Sequence, residues 1–130
     1  MTHHGLCLCL GEMKSWWKST GHEGLKSLDP HMHKLKTNEI TQALKALNGW
    51  TVEYDEIYIF KELQFQSFKS AIGFIVKMAD IADRLDHHPE LLSIYTKIRI
   101  RLSTHDASGL TYKDFELAAE IDTLYKSQFQ

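Results

Sequence analysis

The chain has 130 residues, a length that fits one domain, and its 43% hydrophobic and 25% charged residues are ordinary globular usage. A formal net charge of -2 excludes a general nucleic-acid binder, which needs a basic face to displace counterions from phosphates. Two cysteines, Cys7 and Cys9, cannot build a disulfide framework, and no apolar run approaches the ~20 residues that span a bilayer.

Residues 1–36 read differently from the rest. They hold five of the eight histidines (His3, His4, His22, His31, His33), two of the three tryptophans (Trp16, Trp17) and four of the seven glycines. No helical or strand period persists there. The apolar stretch at residues 5–10 is too short for a signal core, and the segment has none of the arginine of a mitochondrial transit peptide. Its histidines and cysteines lack the spacing of a zinc site. A disordered or loosely docked extension is expected over 1–36, with the folded domain over 37–130.

From Thr37 the pattern becomes regular. Thr37 and Asn38 are good N-cap residues, and Ile40, Ala43, Leu44 and Leu47 follow at helical spacing, with Asn48-Gly49 as the stop. A strand over residues 50–54 and a tight connection at Asp55-Glu56 come next. In the following run Ile57, Ile59, Leu63 and Phe65 share one face, and Tyr58, Phe60, Glu62 and Gln64 the other. Lys61 interrupts the apolar face. The pair reads as a hairpin.

Ser67 can cap a second helix with the stripe Phe68, Ile72, Ile75, Ala79, Ala82 and Leu85. Pro89 cannot continue it. Residues 92–104 are β-rich, as one strand or as two broken near Thr96-Lys97, and Ile98, Ile100 and Leu102 alternate with Arg99, Arg101 and Ser103. Lys97, Arg99 and Arg101 read as a solvated strand face. Gly109 marks a turn, and Thr111 with Asp114 forms a capping box for a last helix that buries Phe115, Ala118, Ile121, Leu124 and Tyr125. This order predicts an α+β fold, an antiparallel sheet of about four strands with helices packed on one face.

Asp86, His87, His88, Pro89 and Glu90 form the densest polar cluster, at a helix exit, and His105 closes the β-rich stretch among Ser103, Thr104 and Asp106. If the helix and sheet pack as expected, both groups line one pocket. A zinc site is disfavoured, because adjacent histidines point different ways and no cysteine is nearby. Turn histidines with ordinary hydrogen bonds remain open, as does acid–base chemistry, since imidazole both gives and takes protons near neutrality.

Asp83, His87-His88-Pro89, Tyr95, His105 and Asp114 stand at every spacing of the pterin-4a-carbinolamine dehydratase signature. Gly49-Trp50 and the run FQSFKSAIGF from Phe65 are also similar to that family, so the resemblance spans about Thr37 to Tyr125. It implies a dehydratase that eliminates water from 4a-hydroxytetrahydrobiopterin to give quinonoid dihydrobiopterin, with no metal or other cofactor. It further implies that His87 and His105 move protons, one on each face of the pterin ring, while His88 mainly holds the ring. Asp86, Pro89, Ser103, Thr104 and Asp106 are the implied substrate contacts. Trp50 matches the aromatic beside the ring, although its residue context equally allows core packing. Asp83, where animal members carry Glu, is implied to orient His87; Asp114 is placed near the pocket, and Tyr95 is a packing residue of the sheet. A cytoplasmic homotetramer made of two dimers is implied, with no direct nucleic-acid or membrane contact. An alternative role, known for some animal members, is a dimerisation cofactor for a homeodomain transcription factor, which adds a nuclear location.

Overall fold

The structure is a computed structural model that describes residues 33–53 and 55–130; the expectation for the extension lies outside the described residues as far as residue 32. In chain order the elements are α1 (Thr37–Leu44), β1 (Thr51–Val52), β2 (Ile59–Gln64), α2 (Phe68–Leu85), β3 (Glu90–Ile94), β4 (Lys97–Leu102), a 3-10 turn (His105–Ala107) and α3 (Tyr112–Gln128). The strands form one antiparallel sheet in the order β1-β2-β4-β3. Alternation puts Ile59, Leu63, Ile98, Ile100 and Leu102 on the buried face, where they join Ala71, Phe74 and Met78 of α2 and Phe115, Ala118 and Ile121 of α3 in one core. Helices therefore cover one face, and the other stays open. Among the described residues no helix is long and apolar enough to cross a membrane.

Several local expectations shift. Lys36, not Thr37 or Asn38, is the N-cap of α1, and its backbone N–H donates to Glu39 Oε1 at 2.9 Å. The helix ends at Leu44, before Gly49, which takes the left-handed conformation at φ 81°. Leu35 is buried and its N–H donates to the Leu110 carbonyl at 2.8 Å, so the packed unit reaches upstream of Thr37. The buried stripe of α2 is Ala71, Phe74, Met78 and Ala82, whereas Phe68, Ile72 and Ala79 face outward. The helix carries apolar residues on two sides, and the sheet selects the side bearing the larger Phe74 and Met78. Tyr95 is not a sheet-packing residue; it sits at φ 52° in the β3–β4 turn and is 73% exposed.

Lys61 does point to the helix side of the sheet, and its partners explain how. Its Nζ donates to Asp122 Oδ1 at 2.8 Å and to the Asn48 carbonyl at 2.7 Å. The caps of the two long helices form as expected: Ser67 Oγ accepts from Ser70 N at 3.0 Å, and Thr111 N donates to Asp114 Oδ2 at 2.9 Å.

Candidate active site

Helix α2 stops at Leu85 because Asp86 takes the left-handed conformation at φ 52°. The reversal is closed by His87 N–H donating to the Ala82 carbonyl at 3.0 Å. Left-handed geometry followed by the restricted residue before Pro89 sends the two histidines in opposite directions. His87 turns inward, 8% exposed, while the His88 side chain is 60% exposed.

Each imidazole has its own carboxylate. His87 Nε2 lies 2.6 Å from Asp114 Oδ1, and His88 Nε2 lies 2.8 Å from Asp83 Oδ1. Asp83 thus pairs with His88 rather than His87, contrary to the expectation, because the inward turn carries the His87 ring away from the last turn of α2. Asp114 is fully buried, and its Oδ2 accepts from Thr104 Oγ1 at 2.8 Å as well as from Thr111 N. An ionised carboxylate only accepts, so it holds the hydrogen of His87 on Nε2 and leaves Nδ1 as the accepting nitrogen of the neutral ring. This buried set ties the end of β4, the cap of α3 and the exit of α2 together.

His88, His105 and Ser103 line one cleft of about 370 Å³, with Ile57, Tyr58, Glu90 and Arg101 as further walls. The elements meet there because β2 and β4 are neighbours and β3 begins directly after Pro89. Other expected residues fall elsewhere. His87, Thr104 and Asp114 form the buried set, Asp86 is the helix terminator, and Asp106 is exposed on the 3-10 turn. Pro89 shapes the turn without lining the cleft. Trp50 is in the core and does not line the cleft; its Nε1 donates to both oxygens of Asp122 at 3.0 Å. Asp122 pairs with Lys61 as well, yet burial pushes its carboxyl above the ordinary 3.8.

Glu90 belongs to the polar cluster read from the sequence, whereas Tyr58, Glu53 and Arg101 are not singled out there as site residues. Arg101 donates from Nε to Glu53 Oε1 at 2.8 Å and from Nη1 to Glu90 Oε1 at 2.6 Å, and its guanidinium lies 3.8 Å from the Tyr58 ring centre. Tyr58 is hydrogen-bonded to Glu90, which pushes its phenol above the ordinary 10.0. The alternation that assigns Tyr58 and Arg101 to the open face was a signal; the strand register that joins them was not. Among the described residues no group of three or more His, Cys, Asp or Glu has a metal-holding arrangement.

Comparison with known proteins agrees with this architecture. A solved structure described as a transcriptional coactivator/pterin dehydratase from Brucella melitensis superposes with a TM-score of 0.68 at 33% identity, covering 71% of this chain and 98% of its own. A second, a pterin dehydratase-like protein described as a RuBisCO assembly factor in the alpha-carboxysome, shares the fold at a TM-score of 0.54 and 22% identity, over 62% of this chain and 94% of its own. The class that the fold defines is therefore the pterin dehydratases. Residues 33–124 match the family described as Pterin 4 alpha carbinolamine dehydratase. Curated relatives carrying the provisional name pterin-4-alpha-carbinolamine dehydratase include one from Roseiflexus castenholzii, 47% identical over 69% of this chain and 95% of its own length. Another, from Sinorhizobium fredii, is 43% identical over 68% of this chain and 85% of its own. The chain belongs to the pterin-4a-carbinolamine dehydratase family of hydro-lyases.

Proposed function

We propose that the protein removes water from 4a-hydroxytetrahydrobiopterin to give quinonoid dihydrobiopterin, a step of tetrahydrobiopterin recycling, by histidine acid–base catalysis. The observation that carries this reading is the meeting of His88 and His105 in one open cleft. Elimination needs a proton delivered to the 4a-hydroxyl as its C–O bond breaks and a proton taken from the adjacent ring nitrogen as the C=N bond forms. Positioned imidazoles contribute about 10²–10⁴-fold to such transfers. His105 serves one face of the ring from the cleft wall. His87, held in one tautomer by Asp114, is the second proton-transfer group, and His88, outward and paired with Asp83, grips the ring. No metal or redox cofactor takes part, and chelation leaves the rate unchanged.

Elimination assays on each pure epimer of the substrate hydroxyl test the assignment. His87→Ala and His105→Ala lower kcat by about 10²–10⁴-fold with opposite epimer preferences, and His88→Ala chiefly raises KM. Equal losses on both epimers reject the two-face division.

The active form is a cytoplasmic homotetramer, a dimer of dimers. Supporting it are the wholly exposed edge strand β3 and the outward apolar residues Phe68, Ile72 and Val76 of α2. The same α2 face, together with the coactivator description of the Brucella structure, favours a second reading, a dimerisation cofactor for a transcription factor that also works in the nucleus. Capture of a homeodomain-factor dimerisation segment that is lost in Val76→Glu tests it.

A further inference from the structure

Beside the histidine cleft the open face of the sheet carries a second and larger hollow of about 560 Å³, which nothing in the proposed reaction uses. Its floor is built by strand register. Phe60 stands opposite Arg101 and Glu62 opposite Arg99 across β2–β4, and Glu90 faces Arg101 while Leu92 faces Arg99 across β3–β4. Directly opposed residues share a face, so these side chains form one continuous surface. Arg99 lies 5.2 Å from the Phe60 ring centre and donates from Nε to Glu62 at 3.0 Å. Arg101 and Glu90 belong to the walls of both hollows.

Arg101 is the best-held group of this surface. Two carboxylates fix its guanidinium from Glu53 and Glu90, and the Tyr58 ring supports its plane. Two carboxylates, Glu53 and Glu90, offset the two arginines of the lining, so the hollow has no net positive charge to favour an anion over a neutral group. It offers alternating donors and acceptors, which suit hydroxyl groups.

In a 4a-hydroxytetrahydropterin the C6 substituent starts two bonds from the reacting carbon, because C6 and C4a are both bonded to N5. A ring seated against His88 and His105 can direct that substituent toward Arg101 and Glu90, the wall that the two hollows share. We propose that the second hollow is a side-chain subsite, in which Arg101, braced on Tyr58, and Glu90 hold an uncharged polyhydroxylated C6 side chain and so determine which pterins the protein takes. The assignment rests on the pterin dehydratase reading and names the substrate class of that site.

Calorimetric Kd values for three 7,8-dihydropterins decide it, using C6 methyl, C6 trihydroxypropyl and the phosphate ester of the latter. The wild type binds the trihydroxypropyl compound roughly tenfold more tightly than the methyl compound, the size of about one charge-assisted hydrogen bond in a half-open site. The phosphate ester loses that advantage. In Arg101→Met and in Tyr58→Ala the ratio of methyl to trihydroxypropyl Kd falls toward one, each variant being compared with itself so that a general loss of affinity does not count. Equal Kd values for the methyl and trihydroxypropyl compounds in the wild type overturn the subsite and leave the side chain in solvent. An unchanged ratio in both variants overturns the assignment to Arg101, and tighter binding of the phosphate ester overturns the uncharged class. Turnover of the 4a-hydroxytetrahydro methyl compound, measured in parallel, reports on the dehydratase reading alone.

Discussion

Two carboxylates, Asp114 and Asp83, each hold an imidazole, and burial makes them unequal. Asp114 is enclosed and accepts from Thr104 and Thr111 as well as pairing with His87, while the Asp83–His88 pair stands in solvent. Removing a buried acceptor strands its donors, whereas exposed pairs contribute little. Asp114→Asn is expected to lower stability by about 2–4 kcal/mol, and Asp83→Asn by less than about 1 kcal/mol. Urea unfolding monitored by tryptophan fluorescence reads both. Asp122 supplies a pH test. Its pKa is raised above 3.8 mainly by burial, so the folded chain holds that proton more tightly than the unfolded one. The contribution is full below the unfolded value and is lost as pH rises through the raised one. Asp122→Asn removes this loss, so its stability relative to wild type should improve as pH rises from below 3.8 through the raised value and level off above it. A flat difference across a pH series of urea curves would contradict the sign.

The element that aims the site is the left-handed end of α2. Asp86 at φ 52° accepts a residue without a Cβ and resists a branched one. Asp86→Gly is expected to leave stability within about 1 kcal/mol, and Asp86→Val to lower it by about 1–2 kcal/mol. The Val variant should also lose kcat, because both histidines leave from this residue; circular dichroism melts and the elimination assay check the pair. Much of this level was legible in the sequence. Strict alternation in β2 and β4, the Ser67 cap and the Thr111–Asp114 box express local rules that the chain obeys wherever it packs. The outward side of α2 was not legible, since two apolar stripes sharing Ala82 satisfy the same helical period and only the sheet chooses between them. Directions after a positive φ are equally hidden, which is why the resemblance assigns Asp83 to His87 while the folded chain pairs it with His88. The Tyr58–Arg101 pair depends on a register between distant strands, so alternation alone reads Lys97, Arg99 and Arg101 as a plain solvated face.

At the scale of the whole molecule, one face of the sheet is covered, one is open, and β3 is a bare edge. Leu92 and Ile94 of β3 and Val76 of α2 are all more than half exposed, an arrangement that self-association covers well. Val76→Glu is expected to reduce the proposed tetramer to dimers, and Ile94→Lys to weaken the edge pairing, each read as a fall in mass by sedimentation at micromolar concentration. A wild-type monomer under those conditions would remove the oligomer from the account. The central strand pair, β2 with β4, has a different consequence, one of time. Helix α2 and strand β3 lie between its two members in the chain, so the pairing closes a long loop and comes late relative to local structure. The histidine cleft is complete only after that closure, because Ile57 and Tyr58 precede β2 while His88, Glu90, Arg101, Ser103 and His105 come from the β3–β4 side. A chain emerging during synthesis carries both adjacent histidines well before it has anywhere to put a pterin. Ligand present during refolding should therefore slow the unfolding limb and leave the folding limb untouched.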